Sequence, residues 1–210
     1  MAKMNIPNQL TMVRLFCTPI MIALFLIDIP SGIGIFIALG IYVLACITDF
    51  LDGYIARKYN MITDFGKFMD QIADKFITTS ALILVMLSGV TVSWLAALII
   101  LIVVLRDILI SGIRMVAANK KIVIAADIFG KIKSLFLDVA SMVLMLYVGL
   151  ISVIPGGANG DLFKGFSVEY VRCFGLGLML VGVVLTIVSA VNYSINAVKS
   201  LKQLEEKEGN

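Results

Sequence analysis

Residues 49–74, DFLDGYIARKYNMITDFGKFMDQIAD, place four aspartates in the frame D-x2-D-G-x2-A-R-x8-G-x3-D-x3-D. These aspartates are Asp49, Asp52, Asp70 and Asp74. Positions i, i+3 and i+7, and likewise i, i+4 and i+8, share one face of a helix. The spacing therefore predicts two consecutive helices, each with a stripe of carboxylates. Small residues beside the stripes, Gly53, Ala56 and Gly66, allow a ligand or another helix to approach closely.

The composition of the whole chain indicates where these carboxylates lie. Hydrophobic residues make up 60% of the 210 residues and charged residues 15%, with a mean hydropathy of +1.05. Soluble domains are about a quarter charged, so we expect an all-α integral membrane protein. Its surroundings are then membrane lipids, and we expect no nucleic acid as a partner. The sequence contains no histidine, which excludes His-based catalytic triads and His–metal sites.

Six stretches are long enough to cross a membrane, which takes about 20 mostly apolar residues. They run over residues 10–28, 33–58, 67–89, 92–118, 128–153 and 169–198. Lys and Arg collect in the connections on one side, while the other side has only Lys164 in its loops. By the positive-inside rule both termini face the cytoplasm. We therefore expect a six-transmembrane-helix bundle in the cell membrane.

This topology places the aspartates near the cytoplasmic edge of the bilayer. About 16 residues separate Ile33 from Asp49, and they cover about 24 Å of helix. Carboxylates at membrane depth are costly and mark functional sites, and four that converge require cations. An all-oxygen donor set favours Mg²⁺, Mn²⁺ or Ca²⁺ over zinc, and two such ions can clamp a diphosphate. The alternative is that the aspartates only extend to the membrane surface or pair with Arg57, Lys58, Lys67 and Lys75.

The frame of residues 49–74 resembles the signature of the CDP-alcohol phosphotransferase family at every position. The resemblance implies a homodimeric membrane enzyme with a cytoplasmic-side active site, which transfers a phosphatidyl group from CDP-diacylglycerol to an alcohol and releases CMP. It implies two Mg²⁺ or Mn²⁺ ions on Asp49, Asp52, Asp70 and Asp74, with Asp74 also acting as general base. It implies a CDP-diacylglycerol site formed by Gly53, Ala56, Arg57, Asp64, Gly66 and Lys67. We therefore expect one catalytic domain over residues 1–200 and a charged tail over 201–210.

A second set of charged residues points to the acceptor alcohol. Arg14 ends N-x-P-N-x-L-T-x2-R, Arg106 and Arg114 lie in Arg-acid-x4-Gly-x-Arg, and Lys131 and Lys133 lie in G-K-x-K. These motifs resemble the branch of the family that uses sn-glycerol 3-phosphate and forms phosphatidylglycerophosphate, which implies that the five cations bind the acceptor's phosphate. Cations near a membrane edge can instead set topology or bind lipid headgroups. The simplest alternative for Arg106 is an internal pair with an aspartate.

Two other functions are open at this point. The same chemistry could use another acceptor, namely inositol phosphate, serine or phosphatidylglycerol. A cation transporter also carries carboxylates inside the membrane, but it predicts carboxylates spread over the bilayer depth and helices broken near its midplane. Here the aspartates cluster near one edge, and within the predicted spans proline occurs only at Pro19, near the chain start. A transferase is therefore the favoured interpretation.

Overall fold

The computed structural model describes residues 6–27, 32–58, 64–119, 128–153 and 168–208, and this part is all-α, with six helices and no strand. Side chains are described within these ranges except at 6–8, 52–57, 64–65, 67, 116, 118–119, 128–129 and 200–208. The helices are α1 (Ile6–Leu26), α2 (Ile33–Lys58), α3 (Asp64–Leu87), α4 (Ser93–Asn119), α5 (Ile128–Val153) and α6 (Val168–Glu208).

Most of the helix bounds confirm the predictions from the sequence. α2 and α5 begin and end at the predicted residues. α3 ends just before Gly89, whose φ of +78° is a left-handed conformation that favours glycine. α6 differs, because it continues to Glu208 instead of ending at 198. Its last part, VKSLKQLEEKE, is rich in Lys, Glu and Leu, which have high helix propensity.

Five of the six helices contain an apolar stretch long enough to cross a membrane. These stretches are Gln9–Leu26, Ile33–Leu51, Ser93–Met115, Gly130–Val153 and Val168–Lys199. The chain is therefore a multi-pass membrane protein. α3 is not among the five, because Asp70, Asp74 and Lys75 interrupt its first half. Length and composition alone therefore identify five of the six predicted spans, and membrane crossing by the sixth, 67–89, stays a prediction.

Exposed apolar side chains agree with a membrane location. On α4, Leu98, Leu101, Leu105 and Ile108 are each at least 44% exposed. Their spacing places them along one face of the helix. A continuous apolar face of this kind is a liability in water, whereas in a bilayer it contacts lipid hydrocarbon.

The helices divide into two compact units, the first of which comprises Met1–Val90 and Ser141–Phe174. In this unit α1 packs against both α2 and α3, which contact each other much less. Small residues permit such close packing, as at Ala73, which is fully buried on α3. α5 approaches α2 at Gly149, where a Cβ atom would lie 3.1 Å from the ring of Phe36.

The second unit comprises Thr91–Ala140 and Gly175–Asn210, and so contains α4, the first half of α5 and most of α6. α5 and α6 approach closely at Gly182, where a Cβ atom would lie 2.7 Å from a methyl group of Leu137. A larger side chain at position 182 would therefore displace Leu137. One catalytic domain over 1–200 and a separate tail over 201–210 stay predictions.

Candidate active site

A buried arginine joins the two predicted carboxylate stripes in the first unit. Arg14 lies on α1 with a side chain that is only 1% exposed. Its Nη1 donates hydrogen bonds to Oδ1 of Asp49 on α2 and, at 3.4 Å, to Oδ1 of Asp70 on α3. We call these three residues the Arg14 cluster. Carboxylates from both stripes therefore converge on one nitrogen, as the spacing of the aspartates predicts.

The sequence of α1 explains how a charged side chain comes to lie inside the unit. Thr11, Arg14, Thr18 and Met21 are all buried, and their spacing is that of one helix face. Thr18 donates its hydroxyl proton to the carbonyl oxygen of Arg14 at 3.0 Å. This partly polar face packs toward α2 and α3, which supply the carboxylates that a buried cation requires.

The carboxylates of the Arg14 cluster stay partly open. Their side chains are 39% exposed at Asp49 and 46% at Asp70, so the cation is buried while the anions reach the surface of the unit. Asp74 is exposed one helical turn after Asp70, and its backbone carbonyl accepts a hydrogen bond from Thr78. The side chain of Asp52 lies outside the described residues.

This donor set fits a hard divalent cation. Carboxylate oxygens from separate helices suit Mg²⁺ or Mn²⁺, and Asp49 and Asp70 would hold such an ion. Among the described side chains, no group of three Asp, Glu or Cys residues comes close enough to hold a metal by itself. Further ligands would then come from Asp52 and Asp74, in keeping with the prediction, or from a phosphate of the substrate.

Most residues predicted for the CDP-diacylglycerol site lie on α2 and α3, but their side chains are outside the described part of the structure. Gly66 is described and partly buried in the first turn of α3. The others are Gly53, Ala56 and Arg57 on α2, and Asp64 and Lys67 on α3. Their roles therefore stay predictions.

The second unit contains a cluster of opposite character. Arg106 Nη1 and Lys133 Nζ both donate to Oδ1 of Asp107, each at 2.9 Å. Arg106 Nη2 donates to the hydroxyl of Ser189 on α6 at 2.6 Å. We call these four residues the cation cluster. The internal pair between Arg106 and an aspartate, named above as the alternative to phosphate binding, is thus present, and Lys133 shares it.

The cation cluster is more enclosed than the Arg14 cluster. Exposed fractions are 13% for Arg106, 5% for Lys133 and 22% for Asp107. Arg106 Nε is buried without a hydrogen-bond partner among the described residues, which typically costs about 1–3 kcal/mol. An anion bound at Arg106 would offset that cost. Asp138 also acts on Lys133 through its charge.

The other predicted acceptor ligands lie outside the cation cluster. Arg114 near the end of α4 and Lys131 at the start of α5 are both exposed. Arg14 belongs to the Arg14 cluster in the first unit, where Asp49 and Asp70 engage it. The structure therefore brings together two of the five predicted cations, Arg106 and Lys133.

Residues 4–191 match the family model described as CDP-alcohol phosphatidyltransferase. The chain belongs to this family. Relatives named CDP-diacylglycerol–glycerol-3-phosphate 3-phosphatidyltransferase align with most of it. One from Rickettsia bellii is 33% identical over 189 residues, covering 90% of this chain and 93% of the relative. One from Bacillus subtilis is 31% identical over 153 residues, covering 68% of this chain and 77% of the relative. The resemblance drawn from residues 49–74 is confirmed.

For this CDP-alcohol phosphatidyltransferase, the sequence indicates an aspartate as one possible partner of Arg106. It does not predict the contact of Lys133 with that aspartate or the contact of Arg106 with Ser189. A signal for Ser189 exists, because Thr186, Ser189 and Tyr193 recur at helical spacing and are all buried. That signal marks a polar face on α6 without showing which helix the face contacts.

Proposed function

We propose that this protein transfers the phosphatidyl group of CDP-diacylglycerol to sn-glycerol 3-phosphate, forming phosphatidylglycerophosphate and CMP. Family membership and the names of the relatives support the reaction. The observation that carries the choice of acceptor is the enclosed pair of cations, Arg106 and Lys133, which share a single carboxylate oxygen. Such a pair suits an alcohol that brings its own phosphate.

The reaction exchanges one P–O bond for another. The acceptor hydroxyl oxygen bonds to the phosphatidyl phosphorus, the bond from that phosphorus to CMP breaks, and CMP leaves with the electron pair. Asp74 takes the proton of the acceptor hydroxyl as general base. Its exposed position on α3, one turn from Asp70, suits a carboxylate that must reach a substrate.

The carboxylates, including that of Asp74, are proposed to have a second role. Asp49, Asp52, Asp70 and Asp74 are proposed to bind two divalent ions, Mg²⁺ or Mn²⁺. When bound, these ions neutralise the diphosphate and the charge that develops on the leaving group. Arg14 holds Asp49 and Asp70 close together. Gly53, Ala56, Arg57, Asp64, Gly66 and Lys67 are proposed to line the CDP-diacylglycerol site.

Five cations are proposed to serve the acceptor to different degrees. Arg106 and Lys133 bind its phosphate directly. Arg114 and Lys131 are exposed, and we assign them to attraction of the anionic substrate. Arg14 contributes through the carboxylates that it holds.

The location and assembly of the protein are further parts of the proposal. The excess of Lys and Arg in the connections on one side supports a cell-membrane protein with both termini and the active site on the cytoplasmic side. Membrane lipids surround the helices, and the protein is proposed to act as a homodimer.

The experiment that tests the function measures CMP release by the purified protein in detergent. CDP-diacylglycerol and Mg²⁺ are supplied together with one alcohol at a time. We expect release with sn-glycerol 3-phosphate, and none with serine, inositol phosphate or phosphatidylglycerol. Release with another of these alcohols would keep the reaction class and overturn the acceptor. A folded protein that releases no CMP with any of these alcohols would overturn the proposed transferase activity.

A further inference from the structure

We propose that Ser189 positions the guanidinium of Arg106 for binding the acceptor's phosphate, an inference that rests on the proposed function. Ser189 is fully buried on α6, and its hydroxyl accepts a hydrogen bond of 2.6 Å from Nη2 of Arg106 on α4. This contact joins residues 83 positions apart in the sequence. Ser189 therefore acts through Arg106 and needs no contact with the substrate.

Two contacts on different helices fix the plane of the guanidinium. Asp107, on the same helix as Arg106, accepts from Nη1 at 2.9 Å, and Ser189 accepts from Nη2. A guanidinium has five N–H donors in one rigid plane, so two hydrogen bonds at its ends set the direction of the others. Nε is among these other donors, and it is buried without a hydrogen-bond partner in the described part of the chain. A phosphate oxygen is a ligand for such a preset donor.

Gly130 on α5 leaves room for this arrangement. A Cβ atom at position 130 would lie 3.1 Å from Nη2 of Arg106 and 3.5 Å from the hydroxyl of Ser189. The first distance is tighter than ordinary van der Waals contact. Alanine at 130 would therefore require the guanidinium to shift by a few tenths of an ångström, without removing any polar group.

Thr186, one turn before Ser189, provides a matched comparison. Both residues are fully buried on α6, but the hydroxyl of Thr186 donates to the carbonyl of Gly182 in its own helix at 2.7 Å. Thr186→Val and Ser189→Ala each delete one buried hydroxyl with little change in shape. Only the second variant removes a contact with Arg106.

The test compares the wild type, Ser189→Ala, Gly130→Ala and Thr186→Val as purified full-length proteins in detergent. CMP release is measured while glycerol 3-phosphate is varied at saturating CDP-diacylglycerol, and then the reverse. We expect Ser189→Ala to raise the KM for glycerol 3-phosphate about tenfold, since a hydrogen bond to a charged group is lost. The KM for CDP-diacylglycerol should stay at its wild-type value. Gly130→Ala should also raise the KM for glycerol 3-phosphate. Thr186→Val should change neither of the two KM values.

Two other outcomes would overturn the role of Ser189. An equal rise in both KM values would show that Ser189→Ala disturbs packing in general. An unchanged KM for glycerol 3-phosphate in Ser189→Ala would show that Ser189 does not position Arg106, whatever the effect of Gly130→Ala. Should Ser189→Ala fail to fold, Ser189→Cys takes its place, because a thiol keeps nearly the same size but is only a weak hydrogen-bond acceptor.

A second readout separates this proposal from the proposed function. Glycerol 3-phosphate is added to the purified proteins without CDP-diacylglycerol, and the shift in thermal unfolding is measured. The wild type should be stabilised, and Ser189→Ala should need about ten times more ligand for the same shift. A wild type with neither CMP release nor stabilisation would overturn the proposed function and this inference together. A Ser189→Ala protein that equals an active wild type would overturn only the inference.

Discussion

The Arg14 cluster and the cation cluster have opposite charge patterns. In the first, two half-exposed carboxylates share one buried guanidinium nitrogen. In the second, two enclosed cations share one carboxylate oxygen. Among these hydrogen-bonded groups, carboxylates therefore outnumber cations in the first cluster, and cations outnumber carboxylates in the second. Buried and half-buried charges require partners, so the first cluster suits a metal cation and the second a phosphate. We therefore propose a different ligand for each cluster.

The largest effect should come from Asp74→Asn, which tests the catalytic half of this comparison. The amide cannot accept the hydroxyl proton, so we expect kcat to fall by about 10²–10⁴-fold, as for loss of a general base. Binding of CDP-diacylglycerol, measured with the purified protein, should change little. Glu169→Gln provides the control, since it neutralises a carboxylate of the first unit outside the Arg14 cluster. Wild-type kcat in Asp74→Asn would remove Asp74 as the base.

Arg14→Met should have the next largest effect, and the effect should depend on metal. Loss of the Arg14 guanidinium leaves Asp49 and Asp70 near each other without a shared cation. We expect a loss of about 2–3 kcal/mol in stability, below the range for fully buried pairs because both carboxylates are half exposed. Thermal unfolding of the purified protein should show this loss in EDTA and a smaller one in Mg²⁺. Equal losses in both conditions would contradict a metal site at these carboxylates.

The sequence predicted much of this arrangement, for reasons visible in particular residues. The length of the apolar stretches was enough for six helices, and the spacing of the four aspartates was enough for two carboxylate stripes. Partners across helices were less predictable. Arg14 lies 35 and 56 positions from its two aspartates, and Arg106 lies 83 from Ser189. Helices that are apolar on every side give no periodic signal for which face meets a neighbour.

Lys133→Met tests the acceptor half of the comparison. We expect the KM for glycerol 3-phosphate to rise about 10–100-fold, since a charged hydrogen-bond donor is lost, with little change for CDP-diacylglycerol. Lys131→Met, two residues earlier on the same helix, should have a smaller effect, because Lys131 is exposed and its charge is screened. Equal effects of the two variants would show that net charge, and not the enclosed cluster, binds the acceptor.

The smallest effect should come from Glu169→Gln, which asks whether ligand binding is confined to the two clusters. Glu169 on α6 accepts hydrogen bonds from Arg172 at 2.7 Å and Tyr147 at 3.4 Å, and Arg172 donates to the carbonyl of Val90 at 3.2 Å. Val90 follows the C-terminal end of α3. That end lies about 25 Å along the helix from Asp70.

The group around Glu169 differs from both clusters because its two charges balance. Glu169 and Arg172 neutralise each other, and they are 42% and 35% exposed. A balanced, partly solvated pair contributes about 0–1 kcal/mol to stability, and it leaves no excess charge for a ligand. Glu169→Gln should therefore lower the unfolding temperature slightly and leave both KM values unchanged. A changed KM for either substrate would mean that charge imbalance does not identify the binding sites of this protein.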